Sequence, residues 1–181
     1  MTQESKEPEL LDMKDERQFE TLVRGLSPEL YRYAYGLCRN PDTAQDLVQE
    51  TFMRAWKSKT SLRDAKAVRA WLYTILRNEH ARLYERKRPE VRDPSTLPEV
   101  GISGYDTSPE AFNLRRALQK LNEEYREPLM LQLVGGFSCK EIGNILDLKE
   151  NTVLTRVFRA RKALREILTP EGEEKSLGGG V

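Results

Sequence analysis

Apolar residues recur at intervals of three and four through most of this 181-residue chain. No stretch shows the alternation with period two that a half-buried strand requires, so the pattern predicts an all-helical protein. Phe19, Leu22, Val23 and Leu26 mark a helix from about Asp15 to Leu26. Ser27-Pro28 offers a capping residue followed by a first-turn proline, so a second helix is expected to restart there and carry Leu30, Tyr31, Ala34 and Leu37 to Cys38. Asn40-Pro41 repeats the signal. The helix it opens carries Ala44, Leu47, Val48, Thr51, Phe52 and Ala55 on one face and ends near Lys57. SKTSLRDAK, residues 58–66, reads as a polar loop. A further helix begins near Asp64–Ala67 and buries Val68, Trp71, Leu72, Ile75 and Leu76.

The pattern stops after Arg88. Residues 89–110 hold four prolines, two glycines and five carboxylates (Glu90, Asp93, Glu99, Asp106, Glu110) against Arg92 alone. Such a segment is expected to be an extended, flexible linker. Helical spacing resumes from about Ala111, with Leu114, Ala117, Leu118 and Leu121, then from Pro128 to Val134, and Gly135-Gly136 is a stop. The divisions are a disordered N-terminus (1–14), a helical module (15–88), the linker (89–110), a second helical module (111–168) and a disordered tail (169–181).

Residues 137–168, FSCKEIGNILDLKENTVLTRVFRARKALREIL, carry the most specific local signals. Ser138 with Glu141 three residues later makes a capping box, and Phe137 with Ile142 can form the hydrophobic staple. The short helix should end near Leu146, with Asp147 and Leu148 in a turn. A second helix then puts Val153, Val157, Ala160, Leu164 and Ile167 on one face. Two helices so joined form a helix-turn-helix, whose second helix can enter a DNA major groove. Opposite the apolar stripe lie Thr155, Phe158, Arg159 and Lys162, with Thr152, Arg156, Arg161 and Arg165 alongside. Thr155, Phe158 and Arg159 suit base edges, and Thr152, Arg156 and Lys162 suit phosphates. A basic amphipathic helix with a partly buried Phe also fits this pattern.

Composition changes the picture in two ways. Only 38% of residues are hydrophobic and 33% are charged, which suggests small units with much exposed surface. The net charge of +1 argues against a general polyanion binder. Yet the cations cluster. Lys66, Arg69, Arg77, Arg82, Arg86, Lys87 and Arg88 face only Glu79 and Glu85, and six cations of residues 149–165 face only Glu150. Two basic segments suggest two nucleic-acid contacts, although solvated helix faces would look similar. Cys38 and Cys139 lack metal or redox spacing and are expected to be reduced thiols. His80 is the only histidine, so a histidine metal site is not expected. The acidic N-terminus does not resemble a signal peptide, and no apolar run is long enough to span a membrane. No phosphate loop, zinc spacing or nucleophile-base pair is present, so no enzymatic activity and no cofactor are expected.

Asp46, Gln49, Glu50, Met53 and Arg54 lie opposite or beside the apolar stripe of their helix. Acidic residues around an exposed Met suit a protein partner as well as an ordinary solvated face. NPDTAQDLVQETFMRAW, then RAWLYTILRNEHARLYERKR, then the Pro-rich linker, then FSCKEIGNILDLKENTVLTRVFRARKAL resembles, in this order, the extracytoplasmic-function (ECF) group of bacterial RNA polymerase sigma factors. The resemblance covers about residues 15–168. It implies a sigma-2 helical bundle joined to a sigma-4 helix-turn-helix, cytoplasmic and monomeric when free of partners.

The resemblance also implies partners and sites. Asp46, Gln49, Glu50, Met53 and Arg54 would dock on core RNA polymerase, on its β′ subunit, with β completing the core. Ser58, Lys59, Thr60, Ser61, Leu62, Arg63, Asp64 and Lys66, with Tyr73, Arg77 and Asn78, would melt and read the −10 promoter element. Trp71 can serve there as a stacking surface or sit in the core. Thr152, Thr155, Arg156, Phe158, Arg159 and Lys162 would read the −35 element as duplex DNA. An anti-sigma factor, commonly membrane-anchored, would regulate the protein by clamping two modules that the linker leaves free to reorient. The chain departs from the family pattern at Asn151, where Gly is usual, at Leu154, where Lys or Arg is common, and near Leu62–Asp64, where many members place an aromatic and a glycine. A helix-turn-helix repressor or activator acting without core polymerase is the competing reading; such proteins usually dimerise, and the chain shows no dimerisation heptads and no ligand domain.

Overall fold

The structure is a computed structural model and describes residues 15–58, 65–86 and 108–169, with backbone only at Ala65, Lys66 and Arg86. The expected disordered ends, most of the linker and residues 59–64 of the polar loop therefore lie outside the described residues. Seven helices and no strands occur among them: α1 (Glu16–Cys38), α2 (Pro41–Ser58), α3 (Ala65–Arg86), α4 (Pro109–Lys120), α5 (Glu123–Leu133), α6 (Cys139–Leu146) and α7 (Glu150–Leu168). The all-helical class follows from the sequence periodicity.

Three boundaries differ from the sequence pattern: α5 begins at Glu123 and carries Pro128 inside it instead of starting there, and the other two involve Ser-Pro. Ser27-Pro28 does not start a helix; α1 runs through it with Pro28 inside. Proline removes one backbone donor. The loss is tolerated because Leu22, Val23 and Leu26 before it and Leu30, Tyr31 and Ala34 after it pack into the same core. Ser108-Pro109, assigned to the linker from its composition, does start a helix. The Ser108 hydroxyl accepts the Ala111 N–H at 3.2 Å and Pro109 occupies the first turn of α4. Asn40 caps α2 as expected, its side-chain oxygen accepting the Thr43 N–H at 3.0 Å. Arg39, with φ 55°, ends α1 in the left-handed conformation.

α1, α2 and α3 pack together, and α5, α6 and α7 form a second cluster with α4 against α7. Contrary to the expectation of independent modules, the clusters are in contact. α1 meets α5 and α4, and α3 meets α6. One apolar cluster continues from Leu30, Tyr33, Phe52, Val68 and Leu72 to Leu129, Leu131, Phe137, Ile142 and Val153. The linker composition describes a tether but says nothing about whether the faces it joins are complementary. Here Tyr73 packs on Tyr33 and edge-on against Phe137, with ring centroids 4.9 and 5.0 Å apart. Gly36 of α1 faces Met130 of α5, where a β-carbon would approach the Met130 methyl to 2.7 Å.

Candidate nucleic-acid and partner interface

The helix-turn-helix is fixed by local chemistry. The Ser138 hydroxyl accepts the Glu141 N–H at 3.3 Å, and the Glu141 carboxylate accepts the Ser138 N–H at 2.8 Å. The capping box is therefore reciprocal. At the other end of α6, Asp147 adopts φ 55°, and the Leu148 N–H reaches the Gly143 carbonyl at 2.8 Å. This left-handed cap turns the chain within a few residues and sends α7 off at Glu150. Gly143 is required by contact: a β-carbon there would lie 2.6 Å from the Leu148 carbonyl oxygen.

Val153, Val157 and Ala160 of α7 are buried, and Leu164 and Ile167 pack against the core, as the sequence stripe requires. That packing fixes which face remains outside. Thr155, Arg159 and Lys162 are exposed, Thr152 and Arg156 are half-buried, and Phe158 is 71% exposed. The phenylalanine is thus not a core residue; the partly buried alternative fails. The outer cations differ in freedom. Arg161 donates to the Gln132 side chain at 2.7 Å and Arg156 lies 3.9 Å from Glu124, whereas Arg159 and Lys162 form no ion pair among the described residues.

On α2, Asp46 and Gln49 are exposed, Glu50 is half-buried and Met53 is 51% exposed. Arg54 has an internal role that the sequence pattern did not show. Its guanidinium contacts Glu50 at 3.0 Å and Glu79 of α3 at 2.7 Å. Glu79 is nearly buried and also takes Arg82 at 3.1 Å, so a carboxylate on α3 gathers two arginines beside the α2 face. Charge on a nominally buried helix position was the available clue.

The expected −10 residues separate into three groups. Lys59 through Asp64 and the Lys66 side chain fall outside the described residues. Ser58 and Asn78 are exposed. Tyr73 and Arg77 correct the expectation of an open face, because both turn toward the second module. Tyr73 is fully buried. Arg77 donates to Glu127 of α5 at 2.9 Å, and the Tyr33 hydroxyl donates to the same carboxylate oxygen at 3.3 Å. Burial, reinforced by Glu127, holds the Tyr33 phenol well above its usual range, and burial does the same to Tyr73. Above this contact Arg69 makes a two-point pair with Glu29 at 2.8 and 2.7 Å and sits 5.7 Å from the Phe137 ring centre. Trp71 is half-buried against the core.

The Tyr73 hydroxyl is buried and finds no hydrogen-bond partner among the described residues. Arg126, only 3% exposed, bonds the Leu121 carbonyl at 3.0 Å and lines a mainly apolar cavity of about 350 Å³ between α1, α4 and α5. Cys38 is buried, donates to the Asn40 carbonyl at 3.2 Å, and has its thiol pushed up to about 11 by burial. It is a packing residue, not a nucleophile. No helix among the described residues is long and apolar enough to cross a membrane.

A helix-turn-helix with a cationic outer helix stands beside a three-helix unit with an acidic, Met-bearing face, and the first of these is the architecture of a DNA-binding protein. The comparisons make the class specific. Residues 22–90 match sigma-70 region 2 and residues 111–164 match sigma-70 region 4. The chain is 36% identical over 150 residues to the ECF RNA polymerase sigma factor EcfG of Rhodopseudomonas palustris, covering 81% of this chain and 83% of that one. It is 31% identical to the RNA polymerase sigma factor SigV of Bacillus subtilis over 152 residues, 83% of this chain and 91% of that one. Its fold is similar, with a TM-score of 0.69 and 29% identity over 86% of this chain and 99% of the other, to the sigma factor RpoE of Bartonella quintana solved with the anti-sigma factor NepR. The chain belongs to the ECF sigma factors of RNA polymerase.

Proposed function

We propose that this sigma factor joins core RNA polymerase through Asp46, Gln49, Glu50, Met53 and Arg54, places α7 in the duplex −35 element, and uses residues 58–66 with Asn78 to open and read the −10 element. The region 2 match underlies a core-binding and melting module over 15–88, and the region 4 match a duplex-binding module over 111–168. The single observation that carries the reading is the outer face of α7, where an exposed Phe158 stands among Arg159, Lys162 and Thr155. Exposed aromatic surface is costly in water and is rewarded in a groove lined by bases and phosphates.

Working on both promoter elements requires the modules to separate. In the packed arrangement Tyr73 and Arg77 are taken up by Phe137 and Glu127, so the −10 face is incomplete. The buried, unpartnered Tyr73 hydroxyl regains water when the contact opens, which lowers the cost of opening. Core polymerase supplies the competing contacts that hold the open form. An anti-sigma factor, as bound to the RpoE relative, would hold the modules together; a membrane-anchored inhibitor would keep the complex at the cytoplasmic face.

Run-off transcription from genomic fragments with core polymerase tests the reading. Promoter-specific transcripts are expected with the chain and not without it. Sequence-specific transcripts that persist in Arg159→Ala with an unchanged −35 preference would remove Arg159 from the duplex-reading face.

A further inference from the structure

The cavity between α1, α4 and α5 combines apolar walls with a buried cation that no carboxylate compensates. Its volume is about 350 Å³, and Leu114, Leu118, Met130, Leu133 and Val134 make it mainly apolar. Leu114 and Leu133 are also exposed to solvent and form its mouth. Arg32 of α1, Arg115 of α4 and Arg126 of α5 line it too, and among the described residues no Asp or Glu does. Arg126 is the informative one, because it is only 3% exposed. Its Nη1 donates to the Leu121 carbonyl at 3.0 Å, while its Nε finds no acceptor among the described residues. It forms no ion pair among them either. Burial accordingly holds its pKa below the usual guanidinium range. A buried cation is costly until an anion and hydrogen bonds compensate it.

We propose that this cavity binds a medium-chain fatty acid, its carboxylate on Arg126 and its tail between Leu118, Met130 and Val134, and that the bound ligand holds the two modules closed. The head group follows from the guanidinium. Arg69 takes Glu29 in a two-point pair through Nε and Nη2, at 2.8 and 2.7 Å. Arg126 has that same edge left over, and a planar carboxylate matches it. The tail follows from the walls and the size. At about 30 Å³ for each water-sized group, the volume takes an acyl chain of about ten carbons with its carboxylate. A helix, about 10–12 Å across with its side chains, is too wide. The effect on the modules follows from where the walls come from. Arg32, Tyr35 and Gly36 close the cavity from α1, and Gln119 of α4 donates to the Tyr35 hydroxyl across the junction at 3.2 Å. A ligand that needs both sides binds only the closed form and shifts the equilibrium toward it. Binding stands apart from any reading of promoter contacts; only its consequence for transcription rests on the modules having to separate.

The test titrates the full-length chain with hexanoate, octanoate and decanoate in a calorimeter, below their micelle concentrations, and with decanol as the uncharged control. Affinity is expected to rise roughly fourfold for each added methylene. Decanol should bind roughly tenfold more weakly than decanoate, or worse. Arg126→Met should make the acid and the alcohol bind alike. Val134→Phe keeps the cation but fills the cavity, and should weaken decanoate and decanol together. Circular dichroism checks both folds; if Arg126→Met does not fold, the acid–alcohol comparison and Val134→Phe still decide. Energy transfer between labels on α2 and α7 should rise with decanoate and not with acetate. Equal binding of acid and alcohol by the parent, an affinity independent of chain length, or undiminished binding in Val134→Phe each overturns the site. Absence of carboxylate binding by the parent overturns it too and leaves the cavity to a protein side chain, and capture by phosphatidylglycerol vesicles without binding of free decanoate assigns the arginines to a lipid surface instead. Decanoate that binds without changing the energy transfer overturns the closing of the modules. Failure of the chain to direct transcription would bear on the promoter reading and leave these titrations unaffected.

Discussion

Gly143 and His80 show how single residues constrain this protein. At Gly143 the obstacle is backbone: an added β-carbon would meet the Leu148 carbonyl oxygen at 2.6 Å, and a carbonyl in the turn has nowhere to retreat. Gly143→Ala is expected to destabilise the second module by about 1–3 kcal/mol, seen as a lower urea midpoint. His80 is buried against Tyr84, with ring centroids 4.7 Å apart, and burial holds its imidazole below the ordinary 6.5. The unfolded chain therefore takes up a proton at a pH where the folded chain does not. Its contribution to stability is full above pH 6.5, falls as the pH drops through 6.5, and stops falling below the folded value. Urea unfolding at about pH 7.5 and 5.5 should show this loss, and His80→Asn should reduce it. Both residues were visible in the sequence, but neither role was. Gly143 sits in an ordinary helical run, and a lone histidine shows its burial only when α3 is packed.

Helix ends carry the second scale. The reciprocal Ser138–Glu141 box stabilises the start of α6, and Ser138→Ala should cost about 1 kcal/mol. That cost should appear in thermal melts, with −35 binding by holoenzyme weakened only as far as α6 frays. Here sequence and structure agree because the box lies within four residues and satisfies its own donors. The two Ser-Pro pairs teach the opposite. Ser27-Pro28 lies between two stretches that share one core face, so burial carries α1 across the missing donor. Ser108-Pro109 has no helical pattern before it, and its hydroxyl caps α4. The dipeptide is the same; neighbouring burial decides its meaning. The stripe of α7 was legible for a related reason, since a period of 3.6 states directly which residues face in and which face out.

At the scale of the whole molecule, the two modules are closed on each other around Glu127. This carboxylate accepts from Arg77 and from the buried Tyr33 hydroxyl. Glu127→Ala should leave that hydroxyl without its acceptor and weaken the closed form by about 1–3 kcal/mol. Fluorescence energy transfer between labels on α2 and α7 should report a larger separation in the free chain. Arg77→Glu should open it too, and Arg77→Glu with Glu127→Arg should close it again, a coupling expected only of groups in contact. An unchanged transfer efficiency in both single variants would show that the pair does not hold the modules together. The helical class, the helix-turn-helix and its outward cations were determined by the sequence alone, because periodicity and caps act over a few residues. The tertiary structure decided the rest. Tyr73 and Arg77 lie on a helix whose spacing allows either water or a partner. Only the arrival of Phe137 and Glu127, more than forty residues along the chain, turns them inward. Contacts of that range depend on complementary surfaces meeting, and no local pattern records which surfaces will meet.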